Sequence, residues 1–172
     1  YFNDQNNPHS LPDSKILCIF EDSRSNLWVG TKSGGLALYN KALDRFVNFS
    51  EQSFLRVSYI IEIRKNTLLL VTNNGFWEIN TISLKFKKIQ LESILGVSVL
   101  SGIHDVLKDK QGNFWFGYFE DGIVTFDSTY KVINRIPSFN ISGVEIKEVH
   151  CLYEDSTGNV WCTLGNTSLV LF

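Results

Sequence analysis

An internal repeat constrains the fold of this chain more than any other feature. Asn26-Leu27-Trp28-Val29-Gly30-Thr31, Asn113-Phe114-Trp115-Phe116-Gly117-Tyr118 and Asn159-Val160-Trp161-Cys162-Thr163-Leu164 align, with a degenerate copy at Asn66-Thr67-Leu68-Leu69-Leu70-Val71-Thr72. The leading asparagines fall at 26, 66, 113 and 159, in steps of 40, 47 and 46. A second run follows each copy, opening at Gly35, Gly75, Gly122 and Ser168 with the same steps. Two landmarks moving together are not a chance similarity.

Each repeat reads as four short strands. In the first, Ile16-Leu17-Cys18-Ile19-Phe20 leads through a polar turn, Glu21 to Asn26, into the Trp28 run. A third strand starts at Gly35, and Arg45-Phe46-Val47-Asn48-Phe49 is the fourth. Runs of Ile, Val, Phe and Trp bounded by turn residues at regular spacing argue for strands. No window keeps apolar residues at helical spacing long enough to require a helix. One four-stranded leaflet every forty-odd residues predicts an all-β chain, a β-propeller segment of about four antiparallel blades. A single leaflet cannot bury both faces, so the repeated Trp and Phe read as packing between blades. The expected division is 1–13 as the end of a preceding blade and a linker, 14–50 as a blade, 57–91 as a degenerate blade, 101–136 as a blade, and 147–172 as a blade lacking its outer strand.

Composition agrees with a folded module. Apolar residues are 44% and charged residues 20%, and the net charge of −2 gives no basic surface for nucleic acid. No apolar run approaches the roughly 18 residues that span a bilayer, and no secretory leader is visible. Cys18, Cys151 and Cys162 are too few and too irregularly spaced for a disulfide framework or a zinc site. The absence of Met and the apolar finish at Leu169-Val170-Leu171-Phe172 lead us to expect a segment of a longer chain.

The stretch Ile19-Phe20-Glu21-Asp22-Ser23, Asn26-Leu27-Trp28-Val29-Gly30-Thr31 and Gly34-Gly35-Leu36 resembles the two-component regulator propeller repeat, and the likeness runs over about residues 11–172. The second repeat departs most: it reads as having lost the Glu-Asp pair and the strand Trp. The resemblance implies the periplasmic, extracytoplasmic sensor of a hybrid two-component histidine kinase, controlled by oligosaccharides. It implies a ligand-binding, signal-transmitting role and no catalytic activity in this segment. A propeller lyase or hydrolase and a purely protein-docking scaffold are the rival readings.

No nucleophile elbow, zinc-protease motif or phosphate-binding loop occurs, and no catalytic residue, metal ligand or cofactor is assigned. His104 and His150 differ by 46 and occupy the same place in successive first strands. They are candidates for a polar channel site or ligand contact. The loops after the Trp strands supply the others: Lys32, Asn73, Asn74, Tyr118, Glu120, Asp121 and Asn166. An aromatic ring beside carboxylates and amides suits sugar hydroxyls and C–H faces. The expected partners are an oligosaccharide and the neighbouring blades of the parent protein. Apolar sheet faces left open at both ends predict self-association.

Overall fold

The computed structural model describes residues 1–49, 53–95, 102–119, 122–137, 140–141, 144–145, 148–165 and 168–172. Two compact units divide the chain, Tyr1–Gln90 and Leu91–Phe172. The first holds two antiparallel sheets that meander in chain order. One comprises β1 (Ile16–Glu21), β2 (Leu27–Thr31), β3 (Leu36–Asn40) and β4 (Arg45–Phe49). The other comprises β5 (Val57–Arg64), β6 (Thr67–Thr72), β7 (Gly75–Asn80) and β8 (Phe86–Ile89).

The second unit opens on α1 (Leu91–Leu95), a short helix that the repeat does not announce. A sheet of β9 (Ile103–Lys108), β10 (Phe114–Tyr118), β11 (Ile123–Phe126) and β12 (Val132–Ile136) follows. The two-residue hairpin strands β13 (Asn140–Ile141) and β14 (Val144–Glu145) come next, also unannounced. Three strands complete the unit: β15 (Val149–Glu154), β16 (Val160–Leu164) and β17 (Ser168–Leu171). The chain is therefore an all-β propeller segment of three four-stranded blades and a fourth with three strands. Among the described residues no helix is long and apolar enough to cross a membrane.

The turn between the first two strands of a blade is built on one carboxylate. Asp22 accepts the backbone N–H groups of Arg24 and Asn26, the Asn26 amide and, at 2.9 Å, the indole N–H of buried Trp28. Asp109 and Asp155 repeat this with Asn113 and Trp115, and with Asn159 and Trp161. The spacing puts the Asn four residues and the Trp six residues after the Asp. One acceptor thus folds the turn and fixes the indole ring, which for Trp28 and Trp115 packs against the next blade.

The second blade lacks the Asp and the Trp but keeps the Glu. Strand register places Glu62 opposite Leu68 as it places Glu21 opposite Leu27. The Glu62 carboxylate accepts the backbone N–H of Ser23 at 2.9 Å and its hydroxyl at 2.8 Å. Glu154 takes the N–H of Lys110 at 2.8 Å in the same way. Glu62 and Glu154 therefore each latch a blade to the turn of the blade before it, while Asp22, Asp109 and Asp155 fold their own turns. That corrects the reading of the second repeat as having lost both.

Apolar packing completes each joint. In the first unit Trp28, Leu36, Cys18 and Phe20 meet Val57, Ile60, Leu68 and Leu70. In the second, Leu107, Trp115 and Ile123 meet Val149, Leu152, Val160 and Cys162. Each large side chain buried here contributes about 1.5–3 kcal/mol. Gly30 and Gly117 set the closeness of approach. A Cβ on Gly30 would lie 2.5 Å from the Cys18 sulfur and 2.7 Å from the Val57 carbonyl oxygen, and one on Gly117 would overlap Cγ1 of Val149.

Candidate functional site

Every innermost strand carries an extra residue at the same place. The ladder skips Leu17 between Ile16 and Cys18, Ser58 between Val57 and Tyr59, His104 between Ile103 and Asp105, and His150 between Val149 and Cys151. A β-bulge frees its residue from the strand's strict alternation and re-aims the side chain. The fold sets no chemistry for this position, since Leu and Ser fill it in the first two blades. The second unit fills it twice with imidazole.

The two rings meet edge to face, with centroids 5.3 Å apart. The Phe119 ring lies 5.3 Å from the His104 ring, tilted by 34°. Glu148 pairs with His150, its Oε2 3.3 Å from Nε2. The backbone holds this arrangement in place: the N–H of Phe119 donates to the Gly102 carbonyl at 2.7 Å and that of Gly165 to the Glu148 carbonyl at 2.7 Å. These two bonds tie the turn after β10 and the turn after β16 to the starts of β9 and β15. The result is a partly exposed cluster of two imidazoles, one carboxylate and one aromatic face. It offers donors, acceptors and an apolar plane together. Among the described residues no group of three His, Cys, Asp or Glu side chains is placed to hold a metal ion.

The other candidates separate. Tyr118 does not face solvent: it is 1% exposed. It ends its strand where Thr31 and Thr72 end theirs, both buried, so the position points into the blade. The residue presented at the turn is the next one, Phe119, which sequence reasoning passed over. The side chains of Asn73 and Asn74 are committed to their own blade. Asn73 Oδ1 accepts the N–H groups of Leu55 and Arg56, while Asn74 donates to the Ser53 carbonyl and accepts from the Lys88 ammonium. Lys32 is exposed on its turn, its N–H bonded to the Lys15 carbonyl. Glu120, Asp121 and Asn166 lie outside the described residues. Glu148 was also missed, because two residues before the bulge no repeated landmark marks its position.

A second hollow, of about 670 Å³, lies where the polar segment 3–12 packs on the first blade beside Phe46 and Asn48. The Asn48 amide donates to the carbonyls of Pro8 and Ser10 and holds that segment down.

Residues 10–33 match the sequence model of the family described as the two-component regulator propeller. No curated protein sequence matches the chain. Among solved structures, the extracellular domain of a protein described as a hybrid two-component system, BT3049 of B. thetaiotaomicron, is similar with a TM-score of 0.75. The two are 24% identical over 93% of this chain and 22% of that one. The corresponding domain of BT4673 from the same organism gives 0.77 at 19% identity, over 100% of this chain and 24% of that one. Virginiamycin B lyase from Staphylococcus aureus gives 0.66 at 13% identity, over 94% and 56%. This chain spans no more than about a quarter of the two extracellular domains. At these identities the likeness is one of fold, the β-propeller.

Proposed function

We propose that this chain is part of an extracytoplasmic, ligand-sensing propeller of a hybrid two-component regulator, non-catalytic itself and responsive to oligosaccharides. The observation that carries the reading is the chemistry gathered at the bulge position of the second unit. His104, His150, Glu148 and Phe119 come together where the fold requires nothing of them. A ring face beside imidazoles and a carboxylate acceptor is the pattern that receives a pyranose: C–H groups against Phe119, hydroxyls toward the imidazoles and Glu148. The family match at residues 10–33 and the two extracellular domains of similar fold support the sensory role and a periplasmic location.

Titration calorimetry of the chain against a panel of oligosaccharides tests the reading. Binding is expected for at least one, weakened more than about tenfold by Phe119→Ala and by His104→Ala. A panel with no heat of binding sinks the sensory reading for this segment.

The lyase reading draws on the same imidazole pair and on the virginiamycin B lyase fold. It requires turnover: a product released with time, and lost in both His104→Ala and His150→Ala. Binding without product rejects it.

A further inference from the structure

One backbone bond recurs at the same place in each of the four blades. The residue after the second strand donates its N–H to the carbonyl two residues before the bulge: Lys32 to Lys15, Asn73 to Arg56, Phe119 to Gly102 and Gly165 to Glu148, at 2.9, 3.2, 2.7 and 2.7 Å. Each blade thus offers three side-chain positions at one rim, two from the bonded pair and one from the bulge. In the second unit these positions hold the imidazole cluster. In the first unit they hold cations. Lys15 and Lys32 fill the bonded pair of the first blade and Arg56 half of the pair in the second, all three exposed.

The three cations stand along one hydrogen-bonded path. Lys32 is bonded to Lys15, and Gly35, at the end of the Lys32 turn, donates its N–H to the carbonyl of Leu55, the residue before Arg56, at 2.7 Å. Arg56 Nε donates to Oγ of the bulge residue Ser58 at 3.0 Å, which engages one of the five guanidinium N–H donors. Among the described residues no carboxylate pairs with any of the three cations. Asp13, on the same rim, is committed to the backbone, accepting the N–H groups of Lys15 at 3.1 Å and Ser33 at 2.7 Å. Gathering like charges is unfavourable, and the fold does not require it, since Asn, Phe, Gly and Glu fill the same positions elsewhere. Arg56 keeps its exposure although the turn of the first blade bonds beside it, so a blade packed ahead of the first would leave Lys15 exposed in the same way.

We propose that this rim of the first unit binds the acidic group of a saccharide, a uronate carboxylate or a sulfate ester, which rests on the oligosaccharide reading above and narrows its ligand class. Arg56 supplies a planar fork that meets either oxyanion with two parallel N–H···O bonds. Lys32 and Lys15 add point charges on flexible stems. The Ser58 hydroxyl steadies the guanidinium through Nε.

Titration calorimetry of the intact chain at low and at raised salt tests this with three probes: a neutral galacto-oligosaccharide, an oligogalacturonate and a sulfated galactan oligosaccharide. At least one acidic probe is expected to bind more than about tenfold tighter than the neutral one, less so as salt rises. Whichever binds distinguishes carboxylate from sulfate. Arg56→Gln and Lys32→Gln, both at exposed positions, each weaken that binding more than about tenfold, and Arg56→Lys does not restore it, because an ammonium lacks the fork. Circular dichroism confirms the fold of each variant. Acidic probes that bind no tighter than the neutral one, or whose binding survives Arg56→Gln and Lys32→Gln, overturn the inference while the oligosaccharide reading stands. Equal binding of poly-L-glutamate also overturns it, marking the rim as a surface for any polyanion. No binding by any saccharide overturns both.

Discussion

The indole N–H of Trp28 donates to the Asp22 carboxylate at 2.9 Å, both residues buried beneath the second blade. Because the same carboxylate closes the turn, Asp22→Ala strands several donors at once. A loss of about 1–3 kcal/mol is expected, the cost of leaving buried donors unmet. Trp28→Phe should cost a similar amount. The equivalent changes at Asp155 and Trp161, both only half-buried, should cost less. Urea denaturation followed by tryptophan fluorescence compares the four.

Acid should weaken the fold through the same turns. Burial alone would raise the Asp22 carboxyl, but the bonds from Trp28, from Asn26 and from backbone N–H groups outweigh it and hold it below the usual carboxylate range. Asp155 is held lower still, first by the Thr157 hydroxyl and then by the Trp161 indole. A group whose folded value is depressed stabilises fully above its unfolded value, near 3.9, and the stabilisation fades as pH falls through the folded value. Melting temperature should therefore be flat with respect to these two groups above about pH 5 and fall steeply below about pH 4. Asp22→Asn should make that fall shallower.

Gly30→Ala and Gly117→Ala should each destabilise by about 1–3 kcal/mol, because the added methyl enters space held by the neighbouring blade. The second blade has Val71 at the corresponding position, so the requirement belongs to these two joints and not to every blade. Val57→Ala should partly rescue Gly30→Ala, and Val149→Ala should partly rescue Gly117→Ala. Double-mutant cycles on thermal unfolding measure the coupling.

Thiol labelling should report on the same packing. All three cysteines are free, and only Cys151 is exposed. Burial pushes the Cys18 thiol up to about 11 and the Cys162 thiol up to about 12. Since the thiolate is the reactive form, iodoacetamide at pH 8 should modify Cys151 first and reach the other two only on unfolding. Peptide mass spectrometry over time resolves the order.

The architecture was legible because strands bounded by turns recur with two landmarks in step, and Trp28 and Trp115 lie in the joints between blades within their units. The finer alignment was not. Landmarks at Asn66 and Gly75 place the second repeat 40 residues after the first, whereas hydrogen bonding pairs Cys18 with Gly30 and Tyr59 with Val71, a step of 41. That one-residue difference hid Glu62 in the position of Glu21. Tyr118 shows a different limit: it aligns with Thr31, but only burial shows that this position turns inward and that Phe119 is the presented residue. His104 and His150 were visible as equivalent residues. The bulge that brings them together was not, since a skipped rung leaves no mark in composition or period.

That skipped rung has an evolutionary consequence. Leu17, Ser58, His104 and His150 sit outside the pairing ladder, so replacing one disturbs neither register nor stacking. Successive leaflets can therefore diverge there codon by codon while their scaffold is conserved. A lineage built from such repeats is free to retune what its rim recognises without having to reinvent how it folds.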